Sequence, residues 1–284
     1  MKNIYFLLLL MAGFLFPSFG QDAGVFKANH IKSSVSWLFN HLNDKKQLVD
    51  SCVYNEKGLL VFRRTYDLFK EDDYEDKRYT YNAAGLQTMC VNYGADGLPW
   101  LTDSVSYDTQ NRLVFEKVYR NTNGQVFMNK IISYKKDKIE IEDTKPGGTR
   151  NVCIRTSDKD GRITTETIYR DTSIIERTEY SYPPGLKEKK IFNGRVLYKV
   201  TRISDDGLFQ EDLTYQNGLV AKVQVKKSNS EEEKLIFGNV SGWVPVKREL
   251  TIWSSNGLKE MVKYYQGTAD KEQYYQHIEY KYTH

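Results

Sequence analysis

Tyr107-Asp108-Thr109-Gln110-Asn111-Arg112-Leu113 is the stretch whose reading decides the fold. An Asp that opens a type I turn accepts a hydrogen bond from the backbone two residues on, and the fourth position then passes through a left-handed conformation that favours Gly or Asn. The product is a tight antiparallel hairpin with a one-residue bulge. The same phrase returns as Tyr54-Asn55-Glu56-Lys57-Gly58, Tyr81-Asn82-Ala83-Ala84-Gly85, Asp158-Lys159-Asp160-Gly161, Ser204-Asp205-Asp206-Gly207 and Trp253-Ser254-Ser255-Asn256-Gly257. Between these copies stands a second set of turn signals, among them Gly94-Ala95-Asp96-Gly97, Asn121-Thr122-Asn123-Gly124, Lys145-Pro146-Gly147-Gly148, Asn193-Gly194 and Asn217-Gly218.

Turn signals therefore recur about every dozen residues, which leaves roughly eight residues for each strand. Short connections allow only sequential antiparallel pairing. The expected architecture is all-β: one long antiparallel meander of about nineteen or twenty strands, either a curled open sheet or barrel-like. Before the main turns the residues alternate, as in Tyr79-Thr80-Tyr81, Val105-Ser106-Tyr107, Ile132-Ser133-Tyr134 and Tyr180-Ser181-Tyr182. Apolar and Tyr positions share one face while the hydroxyl residue takes the other. This predicts a tyrosine ladder along one rim, with each ring covering its neighbours and each hydroxyl left in water. Asp22 to Asn43 has room for a short helix, since Val35, Leu38, Phe39 and Leu42 have helical spacing, yet Trp37-Leu38-Phe39-Asn40 reads better as the first strand of the repeat. Gly238 to Val246, with Gly242 and Pro245, is the expected interruption.

The N-terminus reads as a secretory signal peptide over residues 1–20: Lys2, an apolar run from Ile4 to Phe16, then small residues at Ser18 and Gly20. Residues 21–284 then form one repeat-built β domain without a transmembrane helix, placed in the periplasm, at the cell surface or outside the cell. The formal charge is +4 over the chain. Lys and Arg alternate with Asp and Glu, so nucleic acid is not an expected partner. Cys52, Cys90 and Cys153 fall on strands that are not meander neighbours, which makes them unpaired small hydrophobes.

The copies Tyr107-Asp108-Thr109-Gln110-Asn111-Arg112-Leu113 and Asp158-Lys159-Asp160-Gly161-Arg162-Ile163 resemble the tyrosine-aspartate repeat of RHS-type secreted and surface proteins, whose core runs Tyr-Asp-x-x-Gly-Arg-Leu. The likeness extends from about Trp37 to Tyr265. The chain also resembles secreted bacterial porin-like β-meander proteins. These resemblances imply a long curled antiparallel sheet and a secreted or surface role. They supply no catalytic residue.

Motifs that carry chemistry are sparse. His30, His41, His277 and His284 have no metal-ligand spacing, and His41 or His277 would serve as a base only with a partner brought by the fold. No nucleophile elbow or phosphate loop occurs, and neither a cofactor nor a metal is expected. The acidic turns from Glu71 to Asp76 and at Asp205-Asp206-Gly207 read as solvated turn residues rather than calcium ligands. Trp100 alternates with Thr102, Ser104 and Ser106 on a polar face, which makes it the candidate ligand platform. The expected function is a non-enzymatic exported scaffold or binding protein with a glycan, peptide or protein partner. An outer-membrane pore is the first alternative. It is opposed by charges on both faces of the strand near Arg63 and Arg64 and by a mean hydropathy of −0.60. A hydrolase whose residues meet only in the fold is the second alternative.

Overall fold

The regular turn pitch closes on itself. The computed structural model describes residues 23–70, 73–136, 138–145, 147–216, 218–239, 243–267 and 272–284, so the signal-peptide reading of residues 1–20 lies outside the described residues. Twenty strands make one antiparallel sheet. In chain order they are β1 (Ser33–Asn40), β2 (Lys45–Tyr54), β3 (Leu60–Tyr66), β4 (Tyr74–Tyr81), β5 (Gln87–Tyr93), β6 (Pro99–Tyr107), β7 (Leu113–Arg120), β8 (Val126–Tyr134), β9 (Lys138–Thr144) and β10 (Arg150–Ser157). There follow β11 (Ile163–Arg170), β12 (Ser173–Ser181), β13 (Leu186–Asn193), β14 (Val196–Ser204), β15 (Phe209–Tyr215), β16 (Leu219–Lys227), β17 (Glu231–Asn239), β18 (Trp243–Trp253), β19 (Lys259–Gln266) and β20 (Gln273–Thr283).

Each strand pairs with its successor, and β20 pairs with β1 from Ser33↔Thr283 to Asn40↔Gln276. The sheet is a closed barrel rather than an open curl. Closure leaves no unpaired edge for another chain to add to. Gly238 and Pro245, expected in an interrupting loop, lie in β17 and β18, where Gly238 pairs with Val244 and Pro245 with Phe237. A bulge between Ile236 and Phe237 accommodates the proline there. Residues 240–242 of that stretch lie outside the described residues.

A six-residue helix, α1 (Ala23–Ala28), precedes β1; it lies in the Asp22 to Asn43 segment that has room for a short helix, but ahead of the Val35 to Leu42 spacing that suggests one, which β1 largely occupies. Such a length is too short to hold a helix by itself, so packing stabilises it. Phe26 and Ile31 are buried with Leu258, flanked by Val25, Tyr54 and Tyr282. The Phe26 ring stacks on Tyr54 at 4.2 Å. Gly58 lies beneath the helix with φ of +75°, and a Cβ there would sit 2.2 Å from the Ala23 carbonyl oxygen.

Register assigns the two faces. Asp50, Cys52, Arg63, Tyr79, Cys90, Asp103, Glu116, Lys130, Cys153, Arg155 and Glu166 follow one another across the sheet on the face that α1 covers. This is the inner wall. Thr80, Ser106, Ser133 and Ser181 are exposed on the outer wall, in the alternation read from sequence.

The tyrosine ladder differs from its expectation in one respect. The hydroxyls of Tyr81, Tyr107, Tyr134, Tyr182 and Tyr282 donate to the carbonyls of Leu60, Gln87, Leu113, Ile163 and Lys259, at 2.6 to 3.0 Å. Each acceptor opens the preceding strand. Pairing with the next strand starts two residues later, at Phe62, Met89, Phe115, Thr165 and Met261. The opening carbonyl thus lies past the last rung, and the phenol supplies its donor. These hydroxyls are structural rather than left to water.

Candidate functional site

Two places on the barrel carry candidate chemistry, one inside and one outside. The inner one is a cavity of about 250 Å³ beneath α1, whose lining includes Ser34, Asp50, Cys52, Arg63, Lys259 and Tyr280. Arg63 Nη2 pairs with Asp50 Oδ2 at 2.5 Å. Cys52 donates its thiol to Asp50 Oδ1 at 3.3 Å, and burial first and the Asp50 charge second push that thiol up to about 12. A thiol so placed stays protonated and is a poor nucleophile. Lys259 is buried with its ammonium 5.1 Å from the Trp253 ring and 5.6 Å from the Tyr280 ring, and burial lowers its pKa. The one carboxylate among the lining residues, Asp50, is held by Arg63.

Further along the inner wall, Asp103, Glu116 and Lys130 lie on consecutive strands, with Lys130 paired to Glu116. Burial, followed by the Glu116 charge, raises the Asp103 carboxyl above its usual range. Among the described residues no set of three His, Cys, Asp or Glu side chains is placed to hold a metal ion.

The outer place is a strip of β6 to β9. Trp100 begins it, 41 % exposed on the outer wall. Its face is the one expected, but the neighbours differ in role. Thr102 is buried and donates to Asn121 Oδ1 at 3.0 Å, and Ser104 bonds the Lys117 carbonyl at 3.5 Å, while Ser106 is exposed. On β7 to β9 of the same outer wall, a shallow cavity of about 480 Å³ is lined by Phe115, Lys117, Val126, Asn129, Thr144 and Lys145. An exposed indole, a Phe, two ammonium groups, an amide and a hydroxyl thus occupy one outward strip.

Other candidates fall where their local bonds take them. Asp206 accepts hydrogen bonds from Ser204 Oγ and Leu208 N, Asp76 forms a paired contact with Arg64 at 2.7 and 2.8 Å, and Asp73 faces Lys70. Glu71 and Asp72 lie outside the described residues. The cysteines are free; Cys90 is buried, and Cys52 and Cys153 are half-buried. The fold does bring His41 and His277 together, Nε2 to Nδ1 at 2.7 Å, on the outer wall where β1 meets β20. Sequence reasoning had no way to see this pair, because its members are 236 residues apart.

The outer wall also carries a band of charge. Glu188 pairs with Lys190 at 3.0 Å and with Arg202 at 2.9 Å, Arg202 reaches Glu211 at 3.3 Å, and Glu211 takes Lys222 at 3.4 Å and Gln224 at 3.0 Å. The Arg202 and Lys190 contacts hold the Glu188 carboxyl below its usual range. Among the described residues no helix is long and apolar enough to cross a membrane.

No protein-family model and no curated protein matches the chain. Among solved structures it is similar to a porin-like protein from Bacteroides uniformis ATCC 8492, at 14 % identity over 75 % of this chain and 96 % of that one, with a TM-score of 0.27. It is also similar to TcdB2-TccC3, at 12 % identity over 83 % of this chain and a TM-score of 0.30, and to TcdB2-TccC3-Cdc42, at 12 % identity over 80 % of this chain and a TM-score of 0.23. The chain spans 17 % of each of these two longer chains. Likeness at this level assigns no activity.

Proposed function

We propose that this chain is an exported bacterial β-barrel of the cell envelope that acts as a non-enzymatic scaffold or binding protein, with the outer strip of β6 to β9 as its ligand face. The observation that carries the reading is that exposed Trp100 and the groove of Phe115, Lys117, Asn129 and Thr144 share the outer wall of β6 to β9. Aromatic faces cover sugar rings or apolar side chains, while amide, hydroxyl and ammonium groups bond their polar edges. A glycan, peptide or protein partner fits this chemistry. The inner cavity supports the non-enzymatic part, since its thiol is held protonated and its carboxylate is held by an arginine.

An even-numbered, closed antiparallel barrel also suits a membrane pore. The band from Glu188 to Lys222 argues against that alternative. Charged side chains at mid-strand on the outer wall would face lipid, at about 2–4 kcal/mol for each Arg or Lys near the bilayer midplane.

Two measurements test the proposal. Residues 21–284 purified without detergent should elute as a monodisperse particle; aggregation reversed only by detergent would make the pore the leading reading. Glycan and peptide arrays probed with that particle should show ligands whose binding falls at least tenfold in Trp100→Ala. Binding unchanged by that substitution would remove the strip from the proposal.

A further inference from the structure

The seam between β1 and β20 carries an aromatic column on its outer face. Phe39 lies parallel to His277, with ring centroids 4.6 Å apart and planes 3° apart. His41 follows β1, and its backbone N–H donates to the Tyr275 carbonyl at 2.8 Å, continuing the seam ladder. Tyr274 packs beside both imidazoles, at 4.6 Å from His41 and 5.9 Å from His277. His277 is 8 % exposed.

The two imidazoles meet edge on. Their facing nitrogens are 2.7 Å apart, their centroids 4.9 Å apart and their planes 22° apart. Two such rings joined by an in-line N–H···N bond have centroids about 5 Å apart. A tetrahedral metal ion held by both nitrogens at ~2.0–2.1 Å would instead separate them by roughly 3.3 Å. The spacing is that of a shared proton. Such a bond survives while at least one facing nitrogen lacks a proton, and it is lost when both rings are cationic.

We propose that His41 and His277 form a pH-sensitive latch on the seam that closes the barrel: the shared proton holds β1 to β20, and full protonation of the pair releases it. The surrounding charges are mixed. Glu279 lies 3.4 Å from the far nitrogen of His277 and favours its cation. Lys263 stands opposite His277 in the β19 register, and Lys46 of β2 sits over the rings of Trp37 and Phe39; both oppose it. Beyond Tyr274, Tyr265 carries Arg248 over its ring at 4.1 Å, and Glu272 and Glu233 pair with that guanidinium. Burial is the largest influence on His277 and holds its pKa below the ordinary value of 6.5. The folded state therefore binds this proton less tightly than the unfolded chain. Seam stability is full above the unfolded value and is lost as pH falls below about 6.5.

The test is amide hydrogen exchange of the full chain at pH 7.5 and 5.0, corrected for the intrinsic pH dependence of exchange. Peptides covering Ser33–Asn40 and Gln273–Thr283 should lose protection at pH 5.0 at least about tenfold more than peptides from β7 to β11, as expected for groups coupled by more than one pK unit. In His41→Gln the amide can donate to neutral His277 Nδ1 or turn its oxygen to an imidazolium there, so the acid loss due to the pair should go and only the smaller loss due to the burial of His277 should remain. Protection that falls evenly around the barrel, or an unchanged acid loss in His41→Gln, would overturn the proposal. Should that variant fail to fold, ¹⁵N imidazole spectra of the wild type decide. Two coupled steps separated by more than about one unit support the latch, and independent single titrations refute it. Zinc that restores seam protection at pH 5.0 would show a metal site in place of a latch.

Discussion

The two ends of the barrel are built from the same hairpins by different means. At the end that holds Asn55 to Gly58, Asn82 to Gly85, Asp108 to Asn111, Asp158 to Gly161 and Ser254 to Gly257, side chains stitch the turn to the strands. Asp108 Oδ1 accepts from the N–H groups of Gln110 and Arg112, and its Oδ2 accepts from Arg112 Nε at 2.8 Å. The Arg112 guanidinium then lies 4.3 Å from the ring of Tyr134, two strands on, and Asp158, Arg162 and Tyr182 repeat the arrangement. At the opposite end Gly97, Gly124 and Gly194 also have positive φ, but nothing stands within 4 Å of the place a Cβ would take. One end is a bonded rim against which α1 is seated, while at the other the turns keep Asx bonds of their own, from Leu98 N to Asp96 and from Gln125 N to Asn123, without an arginine and a helix joined to them. Backbone conformation is alike at both ends; what differs is how many groups depend on it.

The largest expected contrast lies between two glycines of equal φ. Gly58→Ala should cost about 3 kcal/mol or more, because left-handed strain adds to a clash with the Ala23 carbonyl, whereas Gly97→Ala should cost only ~1 kcal/mol. Denaturant unfolding of both variants measures this, and equal losses would break the comparison. Next comes the rim phenol. Tyr107→Phe removes the donor to the Gln87 carbonyl and should cost about 1 kcal/mol, while Tyr198→Phe, on an exposed ring near the other end, should change stability by nearly nothing.

A smaller effect is expected from acid. Hydrogen bonds from the Arg112 backbone and side chain and from the Gln110 backbone hold the Asp108 carboxyl below its usual range. Its contribution is therefore present above the unfolded value of about 3.9 and is lost as pH falls through the lower folded value. Asp108→Asn keeps the turn acceptor but not the Arg112 pair, so it should flatten that acid limb and lower stability at pH 7 by the same small amount that the limb had contributed. The smallest signal concerns reactivity. With its thiol pushed up to about 12, Cys52 should resist alkylation at pH 8 in the folded chain, at a thiolate fraction of about one in ten thousand. Phe26→Ala, which loosens α1 over that cavity, should speed alkylation at Cys52 and leave Cys153 on the far wall unchanged.

Much of this fold was legible because its turns are local devices. The Asx-turn acceptor, the left-handed fourth residue and the alternating strand act within about five residues, so Asp108, Asn111 and the Val105-Ser106-Tyr107 run could be read in place. The exposed position of Trp100 was legible for the same reason. The burial of Thr102 beside it was not, since Asn121 and the next strand supply that burial. The role of the tyrosines was half legible. Their side of the sheet follows from period two, but the hydroxyl's acceptor stands about twenty residues away. Helix α1 left no periodic signal in six residues, and only the seat formed by Leu258, Tyr54 and Tyr282 makes it a helix.

By itself the sequence determined the hairpin pitch, the number of strands to within one, the turn chemistry and the sharing of faces, since each is set by hydrogen bonds and sterics between near neighbours along the chain. The tertiary structure alone decided that β1 and β20 meet, that His41 faces His277, that Gly58 lies under α1 and that Asp50 and Arg63 share an inner cavity. Those outcomes depend on the accumulated twist of twenty strands bringing the chain's two ends to a common edge.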